Sequence, residues 1–333
     1  MPEPEPADLA PAPVAGSARP RSPGRSPRRR AVEALLTILV LAFTARILWQ
    51  QWETVGTARF DRDIHLGWLG ASTALVFVTY AVLIETWRRT LLTWGSAPAF
   101  GPAAAIWSIS NLGKYVPGKV WQIGAMTVML HQRGVGPAQS ASAAILITVA
   151  NVLVGFIIAL ATGRDALAAV PASVLYTMMA ALLVLLVVLP RVMPLLFAIA
   201  ARLLRRPIRQ TAPTPWRALV IATLGCAIAW LLYGVAFRWF TIAMLGEAPG
   251  SGLAYVGAYA GSYLLGYVAV FAPGGIGVRE LALTTALPAL GIAAGSDAVV
   301  LTVASRVWLT VTELLPGLGY LIASRLGRET LDA

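Results

Sequence analysis

The sequence predicts an all-α, polytopic helical membrane protein with about six full spans and two broken re-entrant hairpins in approximate inverted repeat. Three observations predict it. Hydrophobic residues make up 58% of the 333-residue chain and charged residues only 12%, outside the range of a soluble globular domain. Several windows approach the roughly 20 apolar residues that a bilayer-crossing helix needs. Two further apolar stretches are each interrupted by a Pro-Gly break with charged side chains beside it.

Residues 1–30 are rich in Pro, Ala, Ser and Arg and cannot bury a core, so they read as a disordered cytoplasmic tail. Arg19, Arg21, Arg25, Arg28, Arg29 and Arg30 hold that tail on the inner side, where anionic lipids attract it. The apolar run after Arg30 is long enough to remain as an anchor helix rather than a cleaved signal peptide. Residues 31–323 form one transmembrane domain, and 324–333 a short cytoplasmic tail.

Full spans are expected at about 31–51, 66–87, 137–161, 167–189, 217–245 and 297–323, from apolar length and flanking turn signals. Even-numbered crossings return to basic segments: Arg88 and Arg89, then Arg191 with Arg202, Arg205, Arg206, Arg209 and Arg217, then Arg325 and Arg328. The opposite loops are nearly charge-balanced. Such asymmetry places both termini in the cytoplasm of a multi-pass plasma-membrane protein. Trp49, Trp52 and Trp68 mark the outer interface. From Pro190 to Pro213 apolar residues alternate with arginines, which reads as an interfacial amphipathic segment.

The remaining stretches, about 101–133 and 252–291, must each return to the side they entered from if the basic loops stay inside. Both read as re-entrant hairpins with Pro-Gly tips, Pro117-Gly118 and Pro273-Gly274-Gly275. The only two lysines in the chain, Lys114 and Lys119, flank the first tip; Arg279 and Glu280 follow the second. Irregular backbone and ionisable groups at membrane depth are tolerated where they face protein or a wet cavity. Paired broken segments of this kind mark the substrate site of many transporters. A simpler reading makes Pro117 and Pro273 kinks between ordinary spans.

In the last span Thr302, Arg306, Thr310, Glu313, Gly317 and Tyr320 recur at steps of three and four, drawing a polar stripe along one helix face. Arg306 and Glu313 need partners at that depth, and Arg279 and Glu280 are the expected ones, whether for function or for packing. Tyr255, Tyr259, Tyr263 and Tyr267 recur at steps of four beside Gly257 and Gly261. The glycines suit close helix approach, and the tyrosines read as core or as the lining of a headgroup path. Arg238 and Asn151 are further cavity candidates. Glu85 and Arg89 have the spacing of a local structural ion pair.

Net charge is +11, but the arginines gather beside apolar spans, so the expected partner is an anionic membrane surface and no nucleic acid. Cys226 is the single cysteine, and His65 and His131 are far apart in sequence, so no metal site is expected. The chain carries no Walker-type phosphate loop, no Gly-x-Ser-x-Gly elbow and no His-Glu-x-x-His pair. No cofactor and no catalytic residue are expected.

The run Asn111-Leu-Gly-Lys-Tyr-Val-Pro-Gly-Lys-Val-Trp121 and the run Ala272-Pro-Gly-Gly-Ile-Gly-Val-Arg-Glu280 resemble, in this order and separation, the lysylphosphatidylglycerol synthase transmembrane region. That family includes the flippase half of the bacterial multiple peptide resistance factors. The resemblance covers nearly the whole chain after about residue 31. It implies movement of a lipid with a polar headgroup between leaflets. The soluble aminoacyltransferase domain of the resistance factors does not follow the last span, so synthesis of aminoacyl lipid is not implied. Other relatives are associated with polyprenol-linked sugars or hopanoid traffic, so the resemblance does not fix the lipid.

The expected function is therefore a lipid flippase, with a substrate that is an anionic or zwitterionic phospholipid or a polyprenyl-phosphate-linked lipid. Lys114, Lys119, Arg279 and Arg306 would meet phosphate, and Glu280 and Glu313 would balance those charges or pair with a cationic headgroup. Two rivals stand beside it. Asp61 and Asp63 in the first outer loop would suit a polyprenyl-phosphate-dependent glycosyltransferase. A non-transporting scaffold for a lipid-modifying enzyme would tolerate loss of Lys119.

Overall fold

A computed structural model of the protein describes residues 63–115, 121–204, 213–269, 275 and 277–332. The expected tail at 1–30, the span at 31–51, Asp61, Pro117, Gly118, Lys119, Pro273 and Gly274 lie outside these residues, and Lys114 is described in its backbone only. Nine α-helices account for almost all of the described chain, which contains no strand. Five are long and apolar enough to cross a membrane: Leu66–Leu92 (α1), Pro137–Thr162 (α4), Ala172–Ile199 within Ala172–Leu204 (α5), Trp216–Leu245 (α6) and Gly295–Ala323 within Gly295–Asp332 (α9). They match the last five spans expected from apolar length.

In lipid, apolar faces gain little by meeting one another, so close packing must come from small side chains and interhelical hydrogen bonds. The α1–α6 pair shows both. A Cβ on Gly225 would overlap the Thr86 side chain, Oγ1 first, so only glycine permits this approach. Nearer the other end of the pair, the Ser72 hydroxyl donates to the Ala236 carbonyl at 3.0 Å. The last helix, α9 (Gly295–Asp332), locks onto both partners through Trp308. Its ring stacks on Phe240 at 4.6 Å between centroids, and its Nε1 donates to Thr73 Oγ1 at 3.0 Å.

One boundary differs from the sequence reading. The segment after Pro190 continues α5, which runs unbroken from Ala172 to Leu204 through Pro190 and Pro194. A proline forfeits one helical hydrogen bond, but lipid offers the freed carbonyl no competing water, so the helical state persists. Apolar spacing also favours it. Leu186, Leu189, Met193 and Phe197 form a buried stripe at helical steps across both prolines.

Each of the two remaining stretches is a helix, a break and a second helix. The first comprises α2 (Phe100–Asn111), a 3-10 turn (Leu112–Tyr115) and α3 (Trp121–His131); the second comprises α7 (Gly252–Val268) and α8 (Val278–Ala289). In each pair the two helices pack against each other. At about 1.5 Å per residue, α2, α3 and α8 each extend less than about 20 Å, short of the roughly 30 Å hydrocarbon core. Both pairs lean on the same two spans: α4 receives α3 and α7, while α9 receives α2 and α8.

Glycines set these contacts. A Cβ on Gly317 of α9 would lie 2.9 Å from the Leu112 side chain and from the Ser108 carbonyl oxygen. On α7, a Cβ on Gly257 would lie 2.7 Å from Gly163 Cα, whereas one on Gly261 would meet only Ala159 Cβ at 3.9 Å. The small-residue motif read from the sequence thus acts through its first glycine.

Candidate functional site

Between the two broken pairs lies a cavity of about 100 Å³. Asn111 at the end of α2 and Gln122 at the start of α3 bring the first pair to it. Tyr259, Tyr263 and Tyr267 bring the second. The spans supply Thr148 and Asn151 from α4, Tyr80 from α1, Trp230 and Tyr233 from α6, and Glu313 from α9. Gln122 reaches across the first break, its Nε2 donating to Asn111 Oδ1 at a long 3.5 Å. On the opposite wall Trp230 Nε1 donates to the Asn151 main-chain carbonyl at 3.0 Å. That bond holds the indole in the wall and leaves the Asn151 side chain out of it.

The tyrosine row divides between two roles. Tyr255 serves packing, with its hydroxyl donating to the Pro249 carbonyl at 2.8 Å and its ring edge-on to Phe237. Tyr259 stacks on Tyr233 at 5.2 Å and on Tyr263 at 6.1 Å between centroids. Above Tyr259 and Tyr263 sits Arg279, its guanidinium carbon 5.4 Å from the Tyr259 centroid and 4.8 Å from that of Tyr263. This is cation–π geometry.

Arg279 and Arg306 are 5% and 6% exposed, so neither side chain snorkels to a surface. Arg306 Nε lies 3.4 Å from Glu280 Oε1, an ion pair without hydrogen-bond alignment. The second Glu280 oxygen accepts from the Gly277 backbone N–H at 2.7 Å. Glu280 therefore ties the start of α8 to the charged stripe of α9. The expected pairing of Glu280 with Arg306 is present, whereas Arg279 is held by aromatic faces. Its Nη2, fully buried, makes no hydrogen bond.

Local backbone explains why α8 starts where it does. Gly275 has φ +73°, and a Cβ there would lie 2.7 Å from the Gly266 carbonyl oxygen of α7. Gly277, with φ +83°, turns the chain into α8, and the Glu280 carboxylate caps the first turn. Position 266 is equally closed, because a Cβ there would meet Arg279 Cβ at 2.8 Å. Gly266 and Gly275 let the chain at Gly275 lie directly on α7, and Gly266 leaves room for Arg279 over the tyrosines.

The α9 stripe faces inward as its spacing predicts. Thr302, Arg306 and Thr310 are buried, and Thr284 of α8 donates to Thr302 at 3.1 Å. Glu313 reaches the cavity, while Tyr320 is exposed. Arg238 is exposed beside Tyr255 and does not line the cavity. His65, His131 and Asp63 are also exposed. No cluster of three or more His, Cys, Asp or Glu side chains suited to a metal occurs among the described residues.

Sequence reasoning missed Tyr80, Trp107, Gln122, Trp230 and Tyr233. Their signal was a polar or amphipathic side chain inside an otherwise apolar stretch, but one sequence does not tell which helix faces meet. No protein-family model, no curated protein and no solved structure matches this chain. The family resemblance accordingly rests on the two break motifs alone.

Proposed function

We propose that this protein translocates a lipid, its headgroup passing through the cavity between the two broken helix pairs while the acyl chains stay in the bilayer. The observation that carries the reading is the shared cavity itself: both pairs, each interrupted by a Pro-Gly run, contribute polar side chains to one space among membrane-crossing helices. Arg279 supports a phosphate-bearing substrate. A buried guanidinium with an unmet donor, next to a polar cavity, offers an oxyanion the hydrogen bond that its surroundings do not supply. Lys114 and Lys119, on the first break, would complete that site. In this reading the short helices are re-entrant hairpins of inverted orientation, residues 31–51 add a sixth crossing, and both termini are cytoplasmic in the plasma membrane. These features agree with the resemblance to the lysylphosphatidylglycerol synthase transmembrane region.

The test is a leaflet-resolved quenching assay in proteoliposomes with labelled lipids of several headgroup classes. Faster transbilayer exchange of at least one phosphate-bearing lipid is expected, slowed about tenfold or more by Arg279→Gln through loss of a charge-assisted hydrogen bond. Equal rates with and without protein for every class would refute translocation.

A further inference from the structure

The Glu280 carboxylate occupies a place that suits a phosphate better. One of its oxygens accepts from the Gly277 backbone N–H at 2.7 Å, at the positive end of the α8 dipole, and the other lies 3.4 Å from Arg306 Nε. A helix N-terminus beside a guanidinium is a natural seat for an oxyanion. Here an internal carboxylate fills it.

The fit of that carboxylate is incomplete. Its contact with Arg306 lacks hydrogen-bond alignment, so Glu280 Oε1, although buried, goes without a hydrogen bond. Arg279, the preceding residue on α8 and 5% exposed, feels the Glu280 charge but keeps an unmet donor at Nη2. A carboxylate has two oxygens, and one is committed to the cap. A terminal phosphate presents three strong acceptors, enough for the Gly277 N–H, Arg306 and Arg279 together.

The approach is on the carboxylate side. The Glu280 side chain is 20% exposed against 7% for that of Arg306, and Gly277 is exposed, so an incoming anion meets Glu280 first. One turn further along α8, Thr284 donates to Thr302 of α9 at 3.1 Å, a tie that remains when the carboxylate leaves.

We infer that Glu280 stands in for a phosphate in the resting protein: an incoming terminal phosphate displaces its carboxylate from Gly277 and Arg306 and bonds Arg279 as well. The inference rests on the translocation reading for its context and deepens it, making Glu280 a competitor for the phosphate site and not a counter-charge that stays in place.

The full chain in dodecyl maltoside, a background free of phosphate, is titrated calorimetrically with dihexanoyl phosphatidate, with dihexanoylglycerol as the tail control and inorganic phosphate as the free anion. Saturable binding of phosphatidate and not of the glycerol is expected, weakened about tenfold or more by Arg306→Gln and by Arg279→Gln, each of which removes a charge-assisted bond. Glu280→Gln keeps a side-chain oxygen for the Gly277 N–H, so α8 keeps its cap, and is expected to tighten binding about tenfold by removing the internal competitor. In the Arg306→Gln background that gain should shrink to about twofold or less, since the two anions no longer contend for one guanidinium. Inorganic phosphate binding with the same pattern assigns the site to the phosphate group itself, and phosphatidate binding alone assigns it to a lipid phosphate; displacement holds in both. Unchanged or weaker binding in Glu280→Gln, a gain of full size without Arg306, which is plain charge repulsion, or no saturable binding that depends on a phosphate overturns the inference. The quenching assay above separates the two readings. Accelerated lipid exchange with no tighter binding in Glu280→Gln defeats displacement and leaves translocation standing; the expected binding pattern without exchange of any lipid defeats translocation alone.

Discussion

Replacing Gly275 by alanine tests whether its close contact with Gly266 of α7 holds the site together. Two separate penalties follow from the backbone. The left-handed conformation at φ +73° costs a non-glycine residue about 1–2 kcal/mol. The added methyl would lie 2.7 Å from Gly266 O and 2.8 Å from its C and Cα, all main-chain atoms of a helix that cannot swing aside. Relieving that overlap adds about 1–3 kcal/mol, the usual range for overpacking. Gly277 supplies the control. It has φ +83°, but a methyl added there would meet nothing within 4 Å, so Gly277→Ala carries only the conformational term. In detergent micelles, followed by tryptophan fluorescence on heating, Gly275→Ala should lower the midpoint by roughly twice as much as Gly277→Ala, because it carries both penalties. Equal shifts for the two variants would show that Gly275 does not bear on α7, and the placement of Arg279 would lose its cause.

Three further outcomes follow from packing. Arg306→Leu and Glu280→Leu should each destabilise by about 2 kcal/mol, because each removes one side of the ion pair, and the double variant by clearly less than the sum; additive losses in a thermal double-mutant cycle would deny the pair. Gly225→Ala should cost about 2 kcal/mol by forcing α1 from α6, with part recovered in the Gly225→Ala, Thr86→Ala double variant, which removes the nearest atoms, Oγ1 and Cγ2. Trp308→Phe should keep the stacking on Phe240 yet cost about 1 kcal/mol through the lost bond to Thr73, measured by the same melting experiment.

Much of the architecture was legible because lipid imposes a simple rule: a long apolar run must be a helix. Five spans appear within a few residues of where hydropathy puts them at one or both ends. The pairing of Glu280 with Arg306 was legible for a related reason, since ionisable groups at that depth have few tolerable partners. What the sequence concealed was helix rotation. Tyr80 and Tyr233 sit in apolar spans with no neighbour in sequence to reveal that they share a wall with Tyr259. Proline also misled at Pro190, where the penalty known from water-soluble helices was outweighed by a continuous apolar stripe. Arg88 was overlooked beside Arg89, although Glu85 Oε2 bonds Arg88 Nε and Oε1 bonds Arg89 Nε, both at 2.7 Å. Spacings of three and four residues both reach the same carboxylate.

Cys226, the one sulfhydryl of the chain, is fully buried within α6, beside the Gly225 contact with α1. Maleimide reagents, which need access to a thiolate, should leave it unmodified in the folded protein. The native chain is in effect a silent background for reporter chemistry. Spin labels or fluorophores introduced singly at 116–120 or 270–274 would therefore report on either Pro-Gly run without first removing a native thiol from the α1–α6 crossing.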